Sequence, residues 1–380
     1  MAKKLTALSL LLLLLAAGGC RRHRRTVPAG YHEFAYVSNG KSDSVSVLDL
    51  QAFRSVKALA VGRNPSGVTA NPARNEVYVV NSESNNVSVI DAERNEVVST
   101  IGVHRAPYFI DVSHDGRRGY VANSGSANVS VLDLISRKVI ANIRVGNAPG
   151  LAKVSPDGNL VVASNRGDDS VSLIDAGALQ VRNTVAVCKQ PEDIAILPDS
   201  SKAFIACTGS DQVASIDLKS GQLLAVLDVG KTPIQLALKP DGGEIFVSNF
   251  HSSSVSVIET TANEIGNTFL IGNNPVRAVV SRDNSLLYVA NFGSNTVSIY
   301  TIDMGRLAGT IPVGSQPDGL ALTADENFLL VLDTQSNDVA AVRTTKLPTG
   351  SKISAERALF TMIPVGMQPN AIAVKAFQTQ

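Results

Sequence analysis

The hydrophobic and polar positions of the chain repeat every 42 residues. One recurring element is an apolar stretch ending in a polar residue, Tyr36-Val37-Ser38-Asn39, whose first position returns at Tyr78, Tyr120, Val162, Phe204, Phe246, Tyr288 and Leu330. A second element, Val61-Gly62-Arg63-Asn64-Pro65, returns with its proline at Pro107, Pro149, Pro191, Pro233, Pro275, Pro317 and, after a ten-residue insertion, Pro369. A period of this size, built from strand-like segments, predicts a β-propeller.

Each repeat predicts four antiparallel strands. In the repeat that starts at Pro65, residues 67–71 form the innermost strand, 76–81 the second and 87–91 the third, and the fourth runs to the next Val-Gly marker. The strands are separated by turn residues such as Pro156-Asp157-Gly158-Asn159. Alternation with a period of two marks the third strand as a half-buried surface.

Counting the strands predicts how the ring closes. The first repeat begins with strand two near Phe34 and lacks an inner strand, whereas residues 369–375 match an inner strand at the other end of the chain. Pairing these two segments removes the open sheet edges that invite aggregation. We therefore expect an all-β, eight-bladed propeller of four-stranded antiparallel blades, with seven blades as the alternative, in a single domain of residues 31–380.

The repeat resembles a known family. Tyr36-Val37-Ser38-Asn39, Tyr120-Val121-Ala122-Asn123 and Tyr288-Val289-Ala290-Asn291, each followed by a Val-Ser-Val type strand and a Val-Gly-x-x-Pro marker, are similar to the YVTN-family β-propeller repeat. The resemblance covers nearly all of residues 31–377. It implies the fold and leaves function open, because similar repeats occur in surface-layer proteins, lactonase-like proteins and haem-binding propellers of the nitrite-reductase type.

The N-terminus has the layout of an export signal. Lys3 and Lys4 precede an apolar run over residues 5–17, which is too short to span a bilayer. Ala17-Gly18-Gly19-Cys20 resembles the lipobox of bacterial lipoproteins. The resemblance implies a signal peptide at residues 1–19, acylation of Cys20, a basic tether over residues 20–30 and, in a Gram-negative host, the outer membrane. The alternative is an ordinary secretory signal with an incidental cysteine.

Composition and charge limit the classes of partner that the protein can bind. Formal net charge is +1, and the basic residues of the N-terminal segment account for more than this excess, so the predicted ring is mildly acidic. A nucleic-acid partner is excluded because such proteins present a basic face. Aromatic residues make up 5% of the chain and Trp is absent, which favours thin aliphatic layers between stacked sheets.

Two recurring polar series are interpreted as structural. The Asn that ends strand two is expected to form a turn through a left-handed backbone or a bond to its own main chain. The Asp that closes strand three recurs at Asp49, Asp91, Asp133, Asp175 and Asp217. Structure requires such repetition, whereas catalysis needs one copy. Function is therefore sought where a repeat departs from its own pattern.

The departures give a candidate disulfide and a candidate binding surface. Cys188 replaces a marker glycine and Cys207 replaces the Asn ending strand two, which predicts a disulfide within one blade; two thiols in register by chance are the alternative. The other departures fall on the face around the channel mouth. They are His104, Tyr108, Asp111, Arg166, Glu192, Asp193, Gln235, His251, Arg277 and Asp318.

These residues predict a binding module. Convergent polar groups on a rigid ring form a pocket, although a solvated funnel of ordinary polar residues is the alternative. No catalytic motif or metal-ligand spacing is visible, so we expect no catalytic residue, metal or cofactor. We predict an envelope protein, anchored to the bilayer through Cys20, that binds a protein, peptide, glycan or small ligand. The alternative is a lactonase-like hydrolase or a haem-binding propeller with His104 as ligand. The ten-residue insertion, near residues 344–358, is expected to be a tolerated loop on the opposite face.

Overall fold

A computed structural model describes residues 28–344 and 358–379 of the chain. Within them are thirty-two β-strands and two 3-10 helices, Gly40–Ser42 and Phe250–Ser252. No helix in these described ranges is long and apolar enough to cross a bilayer. The predicted signal peptide, Cys20 and most of the tether and insertion lie outside the described residues.

The strands fall into four types by their distance from the ring axis. The inner strands are β4 (Pro65–Ala70), β8 (Pro107–Val112), β12 (Pro149–Val154), β16 (Pro191–Ile196), β20 (Pro233–Leu238), β24 (Pro275–Val280), β28 (Pro317–Leu322) and β32 (Pro369–Gln378). The second strands are β1 (Tyr31–Asn39), β5 (Glu76–Asn81), β9 (Arg118–Asn123), β13 (Leu160–Asn165), β17 (Lys202–Cys207), β21 (Glu244–Asn249), β25 (Leu286–Asn291) and β29 (Phe328–Asp333). The third strands are β2 (Ser44–Asp49), β6 (Asn86–Asp91), β10 (Asn128–Asp133), β14 (Ser170–Asp175), β18 (Gln212–Asp217), β22 (Ser254–Glu259), β26 (Thr296–Thr301) and β30 (Asp338–Arg343). The outer strands are β3 (Arg54–Ala60), β7 (Glu96–Gly102), β11 (Lys138–Arg144), β15 (Gln180–Ala186), β19 (Gln222–Asp228), β23 (Glu264–Leu270), β27 (Arg306–Pro312) and β31 (Leu359–Pro364).

The strands form eight four-stranded antiparallel sheets, and the last strand of the chain completes the first sheet. Blade 1 has the order β3-β2-β1-β32, and blades 2 to 8 follow along the chain from β4–β7 to β28–β31. The closing pair runs from Tyr31 opposite Gln378 to Asn39 opposite Pro369. The eight-bladed prediction and the closure are confirmed, and the seven-bladed alternative is wrong.

The core consists of apolar layers between adjacent blades. On β5, Val77 and Val79 pack towards blade 1, whereas Tyr78 and Val80 pack towards blade 3. Both faces of a second strand are therefore buried, which explains why this segment reads as a continuous apolar run instead of an alternating one. The aromatic ring that begins the recurring four-residue stretch fills the apolar layer in most blades. Tyr78 is the example in blade 2, and it has no exposed surface.

The Asn that ends six of the eight second strands is not a turn former, and this part of the sequence interpretation is wrong. Asn39 has an extended backbone with φ −113°, and it is fully buried. In blade 2, the Asn81 Nδ2 donates to Asn86 Oδ1 at 2.7 Å and to Ser88 Oγ at 2.9 Å. The left-handed backbone lies four residues further on, as at Asn85 with φ 53°. The Asn side chain therefore joins strand two to strand three by hydrogen bonds, an arrangement we call the polar clamp.

The Asp that closes strand three caps the following turn. The Asp91 Oδ1 accepts the backbone N–H groups of Glu93 and Arg94, both at 3.0 Å. Asp49 and Asp217 accept N–H groups at the same place in their own blades. The side chain is thus used by the turn, which agrees with the structural interpretation of this series.

Candidate functional site

The propeller has two different faces. The loop face carries the loops between strands two and three and the connections from strand four to the next inner strand. These two kinds of loop are joined by backbone hydrogen bonds, as from Ser82 N–H to Asn64 O at 3.0 Å. The turn face carries the other two kinds of turn. Strand β1 begins at Tyr31 on the turn face and ends at Asn39 on the loop face.

On the loop face, the marker glycine lies against the end of strand two. A Cβ on Gly62 would lie 2.7 Å from the Asn81 Cβ, so a side chain there would require a shift of its surroundings. The same close approach recurs in five more blades, at Gly146 with Asn165, Gly230 with Asn249, Gly272 with Asn291, Gly314 with Asp333 and Gly366 with Asn39.

In blade 5, both positions of this contact are cysteine. Cys188 and Cys207 form a disulfide with S–S 2.04 Å and a Cα–Cα distance of 5.6 Å. The pair is buried, with Cys207 fully shielded from solvent and Cys188 6% exposed. The disulfide therefore joins the strand-four connection to the end of strand two, inside the wall of the ring.

His104 occupies the marker position of blade 3 and lies outside the channel. It is exposed on the loop face, and its Nδ1 lies 2.6 Å from Asn128 Nδ2. His251 is also exposed, with Nδ1 2.8 Å from Thr232 Oγ1. Each imidazole bonds to a neighbouring loop side chain. Among the described residues, no three His, Cys, Asp or Glu side chains cluster in a way that could hold a metal ion.

A cavity of about 250 Å³ lies between the inner strands, at the mouth of the central channel. Five of the predicted binding residues line it, namely Tyr108, Glu192, Asp193, Arg277 and Asp318. The lining also contains polar and aromatic residues that sequence reasoning missed, namely Ser66, Phe109, Lys153 and Asn370. The structure therefore brings together residues from all eight inner strands.

One side of the mouth is held by an ion pair. The Arg166 Nη1 lies 3.0 and 3.2 Å from the two carboxylate oxygens of Glu192. The Arg166 guanidinium also lies 5.6 Å from the centre of the Tyr108 ring, within the range of a cation–π contact. The glycine at position 150 leaves room for this side chain, since a Cβ there would lie 2.9 Å from Arg166 Nε. These charges are already neutralised within the protein.

Three predicted binding residues use their side chains to join adjacent blades. The Asp193 Oδ2 accepts the N–H of Leu236 at 2.9 Å, and the Gln235 Oε1 accepts the N–H of Ala278 at 2.9 Å. Asp111 does the same towards blade 4, where it also lies 3.7 Å from Lys153 Nζ. Part of the polar character of the channel is therefore structural.

Arg277 and Asp318 differ from these residues. They lie on the neighbouring inner strands of blades 7 and 8, and both side chains line the cavity. Within the described part of the chain, neither side chain makes a hydrogen bond or an ion pair. Burial raises the pKa of the Asp318 carboxyl, and the positive charge of Arg277 opposes this shift. These two groups keep their full capacity to bind a ligand.

An aromatic wall lies across the channel from Arg277. Phe109 belongs to blade 3, four blades away from blade 7 in a ring of eight, and Lys153 Nζ lies 4.9 Å from the centre of its ring. The sequence did contain a signal for both residues. Phe109 follows its marker proline by two residues, and Lys153 follows its own by four. Asp193, which also lines the channel, follows its proline by two, and even offsets place residues on the same face of a strand.

A second cavity, of about 490 Å³, lies on the turn face between blades 3 and 4. Several of its charged groups already have partners. The Asp115 Oδ1 accepts Ser113 Oγ–H at 2.6 Å, Asp133 accepts the N–H and the hydroxyl of Ser136, and Arg118 donates to the carbonyl of Ala176.

The chain matches the model of one known protein family. The model of the YNCE-like beta-propeller family matches residues 26–157 and 150–355. No curated protein matches the chain in sequence.

Solved structures share the fold at low identity. Kuenenia stuttgartiensis hydrazine synthase is 23% identical, with 74% of this chain and 96% of that chain covered and a TM-score of 0.61. Dihydro-heme d1 dehydrogenase NirN, in complex with DHE, is 14% identical, with coverage of 90% and 74% and a TM-score of 0.74. A functionally unknown protein from Desulfotomaculum acetoxidans DSM 771 is 16% identical, with coverage of 90% and 98% and a TM-score of 0.62.

Proposed function

Because the chain belongs to the YNCE-like β-propeller family, whose fold presents a rigid ring with a central channel, we propose that it is a binding module. Its ligand is a small polar molecule held at the channel mouth on the loop face. It acts in the cell envelope, where acylated Cys20 attaches it to the bilayer. The finer resemblance to YVTN-family repeats and to bacterial lipoproteins is part of this proposal.

The observation that carries the proposal is the pair of unengaged charges in the cavity. Arg277 and Asp318 line it without a hydrogen bond or ion pair from any described residue. Asp318 is half-buried, and a carboxylate without partners in a partly desolvated site lowers stability, so its presence favours a ligand that supplies the missing bonds. Arg277 is exposed and open to the same ligand. The rest of the ring satisfies equivalent side chains, as Asp193 and Gln235 illustrate.

The path of the chain supports the anchored arrangement. The described chain enters the ring at Tyr31 on the turn face, opposite the cavity. A tether from Cys20 to this strand attaches the propeller by its turn face. The loop face and the channel mouth then point away from the bilayer, where a ligand can reach them.

The binding function is tested by plugging the channel. Ala371 lines the cavity, and a Trp at this position fills it. We expect purified wild-type protein, equilibrated with a small-molecule extract and desalted, to retain molecules that mass spectrometry detects and that Ala371→Trp lacks. Arg63→Trp, on the same face but outside the cavity lining, is the control and should retain them. Equal retention by all three folded proteins would show that the channel mouth is not a binding site.

The anchor is tested by metabolic labelling with a fatty acid. We expect the wild-type protein to incorporate label and Cys20→Ala to incorporate none. An unlabelled wild-type protein, or a labelled Cys20→Ala variant, would refute the lipid anchor and leave the channel-mouth proposal intact.

No observation favours the alternative of a lactonase-like hydrolase or a haem carrier. Of the described residues that line the cavity, Tyr108 alone has a side chain of a haem-ligating type. Its ring already contacts the Arg166 guanidinium. His104, the haem ligand considered for this alternative, is outside the cavity and bonded to Asn128. A Soret band in the purified protein would favour this alternative.

A further inference from the structure

The channel mouth contains a cation and an anion that do not pair with each other. Arg277 and Asp318 stand on adjacent inner strands and line one cavity, yet no ion pair within 4.0 Å joins them. Elsewhere in the same mouth, Arg166 and Glu192 do pair, at 3.0 Å. A ligand that carries both a negative and a positive charge can bind two such side chains at once.

The other residues that line the cavity favour a ligand with an apolar group. Tyr108 and Phe109 form an aromatic wall in blade 3, across the channel from Arg277. Lys153 covers part of the Phe109 ring but is already neutralised by Asp111 at 3.7 Å. A ligand that reaches from Arg277 to this wall therefore needs an apolar group at the end away from its charges.

The size of the cavity limits the ligand. A volume of about 250 Å³ corresponds to roughly eight water molecules at ~30 Å³ each. This space suits a molecule of the size of leucine or phenylalanine. The carboxylates of Asp193 and Asp318 also disfavour a ligand that carries negative charge alone.

We propose that the ligand is a small zwitterion of the α-amino-acid class. Its carboxylate is bound by Arg277, its ammonium group by Asp318, and its apolar side chain by the aromatic wall of Tyr108 and Phe109. This inference rests on the proposed binding function of the channel mouth and names the chemistry of its ligand.

The first test is a thermal-shift screen of the twenty L-amino acids, followed by calorimetric titration of the one that stabilises the protein most. For phenylalanine, the probes are L-phenylalanine, 3-phenylpropionate without the ammonium group and 2-phenylethylamine without the carboxylate. We expect each single-charge analogue to bind about tenfold more weakly or worse, since each loses one charge-assisted hydrogen-bonding group.

Variants assign each charge to its partner. Arg277→Gln should weaken phenylalanine binding about tenfold or more and abolish the preference for phenylalanine over 2-phenylethylamine. Asp318→Asn should weaken it similarly and abolish the preference over 3-phenylpropionate. Arg63→Gln, on the loop face outside the cavity lining, should leave all three affinities unchanged.

The outcomes separate this inference from the proposed function. Amino-acid binding that neither variant weakens would overturn the assigned site. No binding by any amino acid, while the channel still retains another class of molecule that Ala371→Trp excludes, would overturn the ligand class alone. No amino-acid binding together with equal retention by Ala371→Trp would overturn both.

Discussion

Cys188 forms its disulfide with Cys207 across the same contact that Gly62 makes with Asn81 three blades earlier. At the blade 2 contact, a Cβ on Gly62 would lie 2.7 Å from the Asn81 Cβ, whereas in blade 5 the two side chains are joined covalently. Blade 5 also lacks the serine that accepts the Asn amide in other blades, since Ala214 stands where blade 2 has Ser88. The disulfide therefore replaces the polar clamp of this blade.

Removing the disulfide should lower stability. The bond closes a loop of 19 residues, and for such a loop the chain-entropy model gives about 3 kcal/mol. We expect the double variant Cys188→Ala, Cys207→Ala to lose this order of unfolding free energy in a urea titration. The triple variant Cys188→Gly, Cys207→Asn, Ala214→Ser restores the clamp and should recover part of the loss. Unchanged stability on removing both cysteines would mean that the bond contributes nothing to the fold.

Blade 8 carries a buried carboxyl pair in place of the clamp. Asp333 is fully buried and lies directly opposite Asp338 in the sheet, and Ala340 stands in the serine position. Burial, followed by the neighbouring Asp338 carboxyl, raises the pKa of Asp333 to about 8. The folded state therefore holds a proton here that the unfolded chain releases near its ordinary value of 3.8.

This proton makes stability fall as pH rises. The contribution of Asp333 is fully present below its unfolded pKa of 3.8 and is lost as pH rises through the folded value of about 8. Asp333→Asn should remove this dependence and raise the unfolding free energy at pH 8 by at least about 1 kcal/mol, because the amide can donate to Asp338. The measurement is urea unfolding at pH 5 and pH 8. Asn291→Asp in blade 7 is the matched control and should have the opposite effect; equal pH dependence of wild type and Asp333→Asn would contradict the prediction.

Gly150→Ala should break the Arg166–Glu192 ion pair. The added Cβ would lie 2.9 Å from Arg166 Nε. Because both charges are partly exposed, we expect a loss of less than about 1 kcal/mol of unfolding free energy. Gly158→Ala adds a Cβ that meets no atom, although its positive φ carries a backbone cost of its own. A crystal structure of Gly150→Ala in which Arg166 still contacts Glu192 would show that the glycine is not needed for the pair.

Removing the closing strand should unfold or aggregate the ring. A chain that ends at Gly366 lacks β32 and exposes the inner edge of β1, which is paired along its whole length in the structure. Deleting only Thr379 and Gln380 keeps the whole of β32 and is the control. Thermal unfolding should show a large drop in melting temperature for the first deletion and a small one for the second; equal melting temperatures would refute the role of the closure.

The architecture could be predicted because the 42-residue period and the missing first inner strand are both visible in the chain. The role of the recurrent Asn could not, because turn propensity is local whereas the burial of Asn81 comes from its strand-three partners. Asp193 and Arg277 stand at the same offset from their prolines. Their different roles depend on the length of the side chain and on whether it reaches the backbone of the next blade.

A crystal structure of the protein with its best-binding amino acid tests the central claim most directly. We predict difference density inside the channel mouth, with the ligand carboxylate within hydrogen-bonding distance of the Arg277 guanidinium and the ammonium group within hydrogen-bonding distance of Asp318. Density on another surface, or density in the channel that contacts neither side chain, would contradict the account.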